Sequence, residues 1–302
     1  MMKMKKLLVL MSLTSILAFG STASAMNDAD NIPRPIHVNV NGKFVQTDAN
    51  PEQVNNRVLV PIRALSSLGL NYVWNSKTKS VSISNVNQNK IVVTLNSKKA
   101  TMGDKTVTLD VPAQMRHDRV YVPVRFVTEA FGSKVQLETI RQILFVTSEN
   151  NSNGKNNEVG TDLKSQRQAA ISLPIQASFK LINLPNESYA GESYNFAEGK
   201  ADEYIYSDAR TATVVKIQNG KAIAVGQYIF GALADFEKVA GDIKDYSDPV
   251  FRSHGANATI FNWTTKGEVE VNYTDAKGNR AEVKEPNPKS YADVILAIPD
   301  NK

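Results

Sequence analysis

The sequence predicts an α+β protein: a duplicated, strand-rich domain with two short helices, then a second α+β domain. One motif of two arginines and a proline occurs twice in the first half. Apolar, β-branched segments bounded by turn residues recur along both halves, which is typical of short strands. An asparagine-rich break over residues 149–161 separates the halves and lacks the apolar residues needed to fold alone. For the second domain we predict a mostly antiparallel sheet and one main helix.

Residues 1–25 have the layout of a secretory signal peptide. Three lysines precede an apolar run over residues 7–19, and small residues end at Ala25. Charge, apolar core and an A-x-A cleavage site follow in the order of such signals. The run is shorter than the about 20 residues of a membrane-spanning helix. We therefore expect an exported chain starting at Met26, without a membrane span after cleavage, that is secreted or associated with the cell wall.

Composition narrows the chemistry further. The chain has no cysteine, which excludes thiol catalysis, a zinc–thiolate site and a lipid-modified cysteine at the cleavage site. Its formal charge is +5, and removing three signal lysines from 35 bases leaves 32 against 30 acids. Residues 26–150 carry 15 bases and 10 acids, and residues 151–302 carry 17 and 20. Neither half shows the dense basic stripe of a nucleic-acid-binding protein, although weak attraction to an anionic wall is compatible with this balance.

The first half contains an internal repeat. Residues 56–69 return as residues 118–132, each with the pattern Arg-x-x-Val-Pro-x-Arg, a short apolar segment and a glycine. Such self-similarity indicates duplication. The motif residues are Arg57, Pro61, Arg63 and Gly69 in the first copy and Arg119, Pro123, Arg125 and Gly132 in the second.

Each copy predicts a strand that turns into a short helix. The β-branched residues before the proline favour a strand, and proline keeps its predecessor extended. Proline also suits the first helical turn, and the glycine suits a left-handed C-cap. Further strands are predicted over 72–74, 80–84, 91–95, 106–109, 135–137 and 140–146, with a turn at Gly103.

The four motif arginines have two interpretations. An arginine fork is a good ligand for phosphate or carboxylate, so a site for a wall polymer is one of them. Their fixed place around a strand-to-helix corner favours the other, in which they bind carbonyls or acids within the fold.

The residues of the first half carry a family resemblance. The segments VNVNGK (38–43), NRVLVPIRALSSLG (56–69), VWNSKTKSVSI (73–83) and DRVYVPVRFVTEAFG (118–132) resemble the copper amine oxidase N-terminal-like domain. The resemblance covers residues 34–148, and it departs mildly at 136–137, where Gln-Leu replaces the Val-Trp of the first copy. This family is common in surface and secreted proteins of Gram-positive bacteria. It implies an accessory, stalk-like domain without redox chemistry.

The resemblance does not imply an amine oxidase. That chemistry needs three histidine ligands and a tyrosine converted to a quinone. This chain has only His37, His117 and His254, without the spacing of a histidine metal site. Asn272–Thr274 is the nearest approach to the quinone sequence and lies in a predicted strand. We expect no cofactor and no metal.

The second half matches no family pattern that we can name. A short helix is predicted over 163–171, and a hairpin joins 211–217 to 222–230 through Asn-Gly, the strongest short hairpin signal. The main helix is predicted from helical spacing at Leu233, Phe236, Val239 and Ile243. Strands are predicted over 258–263, 268–273 and 281–284, with 291–298 closing the sheet.

Candidate catalytic groups in the second half are few. Ser253, His254 and Asp248 have the composition of nucleophile, base and orienting acid, but adjacent residues rarely aim at one another, and a loop histidine is the favoured interpretation. Glu198, Asp202 and Glu203 form an acidic cluster that suits a glycosidase or calcium. No calcium-loop spacing is present, so a solvated turn is favoured.

Aromatic residues supply a different candidate. Tyr204, Tyr206, Tyr228 and Trp263, if exposed, would make a platform that stacks on carbohydrate. Aromatic residues in strands are more often part of the core, which is the interpretation that we favour.

These observations predict a domain order: signal peptide 1–25, stalk domain 26–148, flexible linker 149–161 and an α+β domain 162–302. The favoured function is a non-catalytic surface or wall-associated protein whose stalk presents a C-terminal binding domain to a cell-wall polymer or another surface protein. Two alternatives stay open: an extracellular hydrolase of wall or matrix polymers that uses Glu198 or Asp202, and a delivered effector. The ligand and the oligomeric state are not determined by the sequence.

Overall fold

The computed structural model describes residues 34–149, 160–182, 191–208, 210–230, 238–244, 248–250, 258–274, 280–286 and 288–297. The predicted signal peptide and most of the predicted linker lie outside these ranges. Residues 32–302 group into one compact unit. Across the described ranges, no helix has both the length and the apolar character needed to cross a membrane.

Residues 34–149 are rich in strands, as the sequence predicts. The strands are β1 His37–Val40, β2 Lys43–Val45, β3 Glu52–Val54, β4 Arg57–Pro61, β5 Asn71–Asn75, β6 Ser80–Ser84, β7 Lys90–Thr94, β8 Lys99–Met102, β9 Lys105–Thr108, β10 Gln114–Arg116, β11 Arg119–Pro123, β12 Lys134–Glu138 and β13 Ile143–Thr147. A 3₁₀ helix spans Ile62–Leu68, and the helix α1 spans Val124–Glu129.

Both copies of the repeated motif form the predicted corner from strand to helix. Pro61 and Pro123 are the last residues of β4 and β11 and the N-caps of the helices that follow. Each proline has an extended ψ, 129° for Pro61 and 108° for Pro123. Each is therefore the residue before the first helical turn, whereas the sequence predicts it within that turn. Gly69 and Gly132 follow with φ of 71° and 74°, the left-handed conformation that glycine adopts without steric cost.

The two copies pair with each other. Strands β4 and β11 are antiparallel neighbours, with Val60 opposite Val122, and both valines are fully buried. Asp48 accepts hydrogen bonds from an arginine of each copy, Arg63 at 3.3 Å and Arg119 at 2.9 Å. Duplication therefore builds one domain around a shared strand pair, which the repeat alone did not reveal.

Three sheets surround one core in this part of the chain. Their strand orders are β12-β13-β1-β2, β10-β11-β4-β3 and β5-β6-β7-β8-β9. Strand β1 lies parallel to β13, so the beginning and the end of the domain are neighbours. The core takes apolar residues from all three sheets, among them Val38, Val60, Ile83, Val93 and Val122.

The described residues of the second half form two short helices and one large sheet. The helix α2 spans Leu163–Ile171. The strands are β14 Ile175–Ala177, β15 Glu192–Ala197, β16 Glu203–Ser207, β17 Thr211–Gln218, β18 Lys221–Ile229, β19 Lys238–Gly241, β20 Ala258–Trp263, β21 Val269–Thr274 and β22 Arg280–Glu285. A second 3₁₀ helix spans Tyr291–Val294.

The large sheet has nine strands in the order β14-β18-β17-β16-β15-β20-β21-β22, with β19 also paired to β18. All neighbours are antiparallel except β14 and β18, which run parallel. The β17–β18 hairpin turns at Asn219 and Gly220, which have φ of 51° and 72°. The predicted fold class, α+β with mostly antiparallel sheet, is confirmed.

The main helix predicted around Leu233, Phe236, Val239 and Ile243 is wrong where the structure describes it. Residues 238–241 form the strand β19, with Val239 opposite Tyr228 of β18. Strand pairing at the sheet edge supplies hydrogen bonds that override the local helical spacing. Leu233 and Phe236 lie outside the described residues.

The final predicted strand, 291–298, is also wrong. Its first residues form the 3₁₀ helix instead, because Ser290 and Asp293 make a capping box. In this arrangement each side chain bonds the backbone of the other residue and satisfies donors at the start of the helix.

The two halves are in contact through buried groups. Ile140, Ile143 and Phe145 belong to the same apolar cluster as residues of α2 and the nine-stranded sheet. Arg141, which lies between them in the chain, is fully buried. It donates to the carbonyl of Ile171 at the end of α2 and to that of Leu173 just after it, both at 2.7 Å. The boundary between domains stays a prediction, but the described residues on either side of it share a core.

Arg141→Met is expected to destabilise the protein by about 3–5 kcal/mol, because it leaves Glu138 buried without its cation. Glu138 now accepts from the Arg141 Nε at 2.6 Å. The measurement is urea unfolding. The control is Arg125→Met, which removes an exposed pair with Glu129 at 3.8 Å and should cost at most about 1 kcal/mol. Equal losses for the two variants would contradict the role assigned to Arg141.

Candidate functional site

A buried cluster of polar side chains lies where the start of β1 meets the start of β15. It consists of Arg34, His37 and Glu192, with Asp208 at its margin. The side chain of Glu192 is 1% exposed, and those of Arg34 and His37 are 19% and 14% exposed. We call these residues, with Tyr206 and Tyr291, the Glu192 cluster.

The backbone around Glu192 fixes its position. Gly191 has a φ of 93°, and a Cβ at this residue would stand 2.8 Å from the carbonyl oxygen of Trp263. Only glycine avoids both the strained φ and this contact. Glu192 then pairs with Trp263 at the end of the β15–β20 ladder, which places the carboxylate beside the indole-bearing strand.

The carboxylate of Glu192 has three partners. Arg34 donates from Nη2 to Oε2 at 3.0 Å, and the Tyr206 hydroxyl donates to the same oxygen in a short hydrogen bond. The Nε2 atom of His37 lies 3.5 Å from the other oxygen. Arg34 also donates from Nη1 to the Ile140 carbonyl at 3.0 Å and to Asp208 at 3.2 Å. Arg34 therefore connects the turn between β12 and β13 in the first half to the sheet of the second half.

Aromatic rings enclose the cluster. His37 stacks on Tyr291 with centroids 3.9 Å apart, and Trp263 meets the two rings at 5.5 Å and 5.3 Å. Phe44 of β2 packs edge-on against Tyr291 at 4.9 Å. The hydroxyls of Tyr291 and Tyr194 are 3.0 Å apart. This wall keeps water from the carboxylate, which strengthens each of its electrostatic contacts.

The surroundings alter the acidities of these groups. Burial raises the pKa of Glu192, but the contact with His37 and the charge of Arg34 outweigh it, so the pKa lies below its ordinary value. Burial raises the pKa of Tyr291 and of Tyr194, and it raises the pKa of Tyr204 to about 12. At neutral pH Glu192 is therefore ionised, and the phenols of Tyr291 and Tyr194 beside it are neutral.

This arrangement suits attachment of the two halves. The partners of the Glu192 carboxylate come from both halves and are largely buried, so the cluster joins them through charge-assisted hydrogen bonds. Metal-ligating side chains do not gather here: within the described residues, no group of three or more His, Cys, Asp or Glu could hold a metal ion.

Three of the four aromatic residues considered for a carbohydrate platform are buried. Tyr204 and Tyr206 are fully buried and Tyr228 is 3% exposed. Trp263 is half-buried, and it lies against His37 and Tyr291 in the cluster wall. Tyr204 and Tyr206 pack in the apolar cluster that also contains residues of α2 and of the 3₁₀ helix Tyr291–Val294, and Tyr228 packs with Ile205 and Val214. The favoured core interpretation describes these three rings.

The acidic candidates lie at or near the surface. Glu198 and Asp202 are exposed, and Glu203 pairs with Lys216 at 3.1 Å. Asp208, by contrast, belongs to the margin of the Glu192 cluster.

The predicted set of Ser253, His254 and Asp248 cannot be assembled from the described residues. Ser253 and His254 lie outside them. Asp248 accepts hydrogen bonds from the backbone of Lys244 and Val250, so its carboxylate stabilises its own turn.

The motif arginines lie against acids of the fold. Arg63 and Arg119 donate to Asp48. Arg57 donates to Asp110 at 2.5 Å, and Arg125 lies 3.8 Å from Glu129. The hydrogen bond from Arg57, together with its charge, lowers the pKa of Asp110. These contacts match the structural interpretation of the motif.

Sequence reasoning missed Arg34, Glu192 and Tyr291 as members of one cluster. Arg34 and Glu192 are 158 positions apart, and no periodicity joins them. The positive φ at Gly191 is the one local feature that distinguishes the position. A charged residue in an alternating strand is ordinarily placed on the solvent face, so Glu192 gave no sign of burial.

Two comparisons with known proteins bear on these findings. The family described as the copper amine oxidase N-terminal domain matches residues 39–146. The search of curated proteins finds no match for the chain. The family match begins after His37 and ends before α2, so it includes Phe44 but not Arg34, His37 or Glu192.

Glu192→Gln is expected to destabilise the protein by about 3–5 kcal/mol at neutral pH, because Arg34 loses its buried anion. The lowered pKa also predicts the pH dependence. The stabilisation from ionised Glu192 is complete above the ordinary carboxyl pKa of about 4.3 and is lost as the pH falls through the lower folded value.

Urea unfolding between neutral and acid pH measures this effect. The parent should lose stability more steeply than Glu192→Gln below the ordinary carboxyl pKa. The matched control is Glu203→Gln, which removes a partly exposed pair with Lys216 and should keep the parent's acid slope. Parallel acid slopes for the parent and Glu192→Gln would rule out an ionised Glu192 as the source.

Proposed function

We propose, from the premise that residues 39–146 are a copper amine oxidase N-terminal-like domain, that this chain is a non-catalytic, wall-associated surface protein. The stalk-like domain attaches to the surface and presents the C-terminal sheet as a binding domain. Export of the chain follows from the signal-like residues 1–25.

The observation that carries the proposal is the buried attachment between the halves. Arg34, just before β1, reaches Glu192 at the start of β15 and Asp208 just after β16. Arg141 reaches from the turn before β13 to the end of α2. A stalk that presents a second domain needs such fixed contacts, because a flexible joint alone would not set its direction.

The C-terminal sheet supplies a broad scaffold for presentation. It has nine strands, and its interior is filled by rings such as Tyr194, Phe196 and Phe261. A sheet with a packed aromatic interior supports loops at its ends, where binding residues are usually found.

The test is co-sedimentation of the processed chain, residues 26–302, with purified Gram-positive wall sacculi. We expect the protein to pellet with the sacculi and to release no soluble wall fragments. Release of fragments would favour the hydrolase alternative, and loss of that activity in Glu198→Gln and Asp202→Asn would locate it. A protein that stays in the supernatant at every salt concentration would overturn the proposal.

A further inference from the structure

Positive charge is concentrated in the five-stranded sheet of the stalk-like domain. Residues 71–109 contain six lysines and a single acid, Asp104; the lysines are Lys77, Lys79, Lys90, Lys98, Lys99 and Lys105. Residues 26–150 as a whole carry 15 bases and 10 acids, so this sheet accounts for the basic balance of the first half.

Four of these lysines lie at one end of the sheet. Lys77 and Lys79 are in the turn between β5 and β6, Lys98 precedes β8, and Lys99 is the first residue of β8. The Leu95 backbone donates to the Lys79 carbonyl at 2.9 Å, which brings the β5–β6 turn beside the end of β7. Since β7 leads directly into β8, both lysine pairs extend from the same end.

These lysines differ from the arginines of the same domain. All four lysine side chains are exposed, and none lies within ion-pair distance of an acid among the described residues. The motif arginines, by contrast, each contact an acid. The charge available to an outside partner is therefore on the lysines.

An exposed aromatic edge adjoins the lysines. Strand β5 is an edge of the sheet, and each of its residues is exposed. Tyr72 and Trp74 are 37% and 40% exposed, and Val73 between them is 68% exposed. The strand runs directly into the turn that carries Lys77 and Lys79.

The outer face of this sheet is rich in hydroxyl groups. Ser82 of β6, Thr101 of β8 and Thr106 of β9 belong to one row of residues that are paired across the sheet, and this row begins with Val73. Tyr72 and Trp74 pair with the buried Ile83 and Val81, so they lie on the other face of the sheet. Aromatic surface and charge therefore meet at the β5 edge, where the turn with Lys77 and Lys79 follows Trp74.

We propose that this surface, defined by Tyr72, Trp74, Lys77, Lys79, Lys98 and Lys99, binds an extended acidic polysaccharide. The carboxylates of the polymer would meet the lysines, and a sugar ring would lie against Trp74. The choice of an acidic polysaccharide as the partner rests on the proposed function, because a protein at the cell surface is exposed to acidic glycans. Charge complementarity and the open edge carry the site itself.

A nucleic acid fits the same surface less well. Phosphate recognition favours arginine forks, and the motif arginines of this domain already contact acids. The lysines also lie at one end of a sheet, whereas a nucleic acid needs a longer basic stripe.

The experiment measures binding of residues 26–302 to sodium polygalacturonate by titration calorimetry at low and high salt. Neutral dextran and a DNA duplex serve as comparison ligands. The test variant is K77Q/K79Q/K98Q/K99Q. The matched control, K221Q/K238Q/K266Q/K289Q, removes the same number of positive charges from exposed lysines of the C-terminal half.

We expect the test variant to bind polygalacturonate about tenfold more weakly or worse at low salt, and the control to bind like the parent. Trp74→Ala should weaken binding several-fold without changing its salt dependence, because it removes stacking surface but no charge. Thermal unfolding followed by circular dichroism checks that each variant is folded.

Several outcomes would overturn the proposal: no binding by the parent, equal binding by the test variant, or tighter binding of the DNA duplex than of polygalacturonate. An equal loss of affinity in the test variant and the control would show that only the net charge of the protein matters, and this result would also overturn the proposal. If the test variant still pellets with wall sacculi like the parent, the basic surface is wrong while the proposed function stands. If the parent binds neither sacculi nor polygalacturonate, both proposals fail.

Discussion

The buried carboxylate of Glu192 is the constraint on which the arrangement of the two halves depends. An ionised acid that is 1% exposed is stable only when its partners replace the water that it has lost. Arg34, His37 and Tyr206 do so, and two of the three belong to strand β1 or the residues before it. Satisfying this one charge therefore requires the start of the stalk-like domain to lie on the C-terminal sheet.

The aromatic wall and the second contact follow from the same requirement. Tyr291, Trp263 and Phe44 cover the cluster, and Arg141 makes an independent buried contact with the end of α2. Each contact uses a charged or polar group away from water, where an unpaired group is costly. Together they select one relative placement of the halves, because other placements would leave buried charges without partners.

The surface away from this attachment has the opposite character. The motif arginines neutralise acids of their own domain, while the lysines of the five-stranded sheet remain exposed beside Trp74. The first set holds the duplicated corners in place, and the second is available to a partner. This division explains how a mildly basic domain can be attached at one side and carry its open charge at another.

The sequence by itself determined the features that depend on neighbouring residues. Val60 before Pro61, the left-handed residues Gly69 and Gly132, and the Asn-Gly turn at 219–220 specify local backbone geometry, and the structure contains each of them. Gly69 is the C-cap of its helix, whereas Gly132 lies two residues beyond the C-cap Ala130. Strand alternation was sufficient for the fold class, and the doubled motif was sufficient for the domain family.

The tertiary structure alone decided what depends on distant residues. Val239 shows helical spacing but pairs with Tyr228, and Tyr204 and Tyr206 are buried in a cluster to which α2 and the final 3₁₀ helix contribute. The Glu192 cluster joins residues 158 positions apart, which no local period encodes. Burial, pairing and charge compensation are properties of the assembled chain, so they could be assigned only after the fold was known.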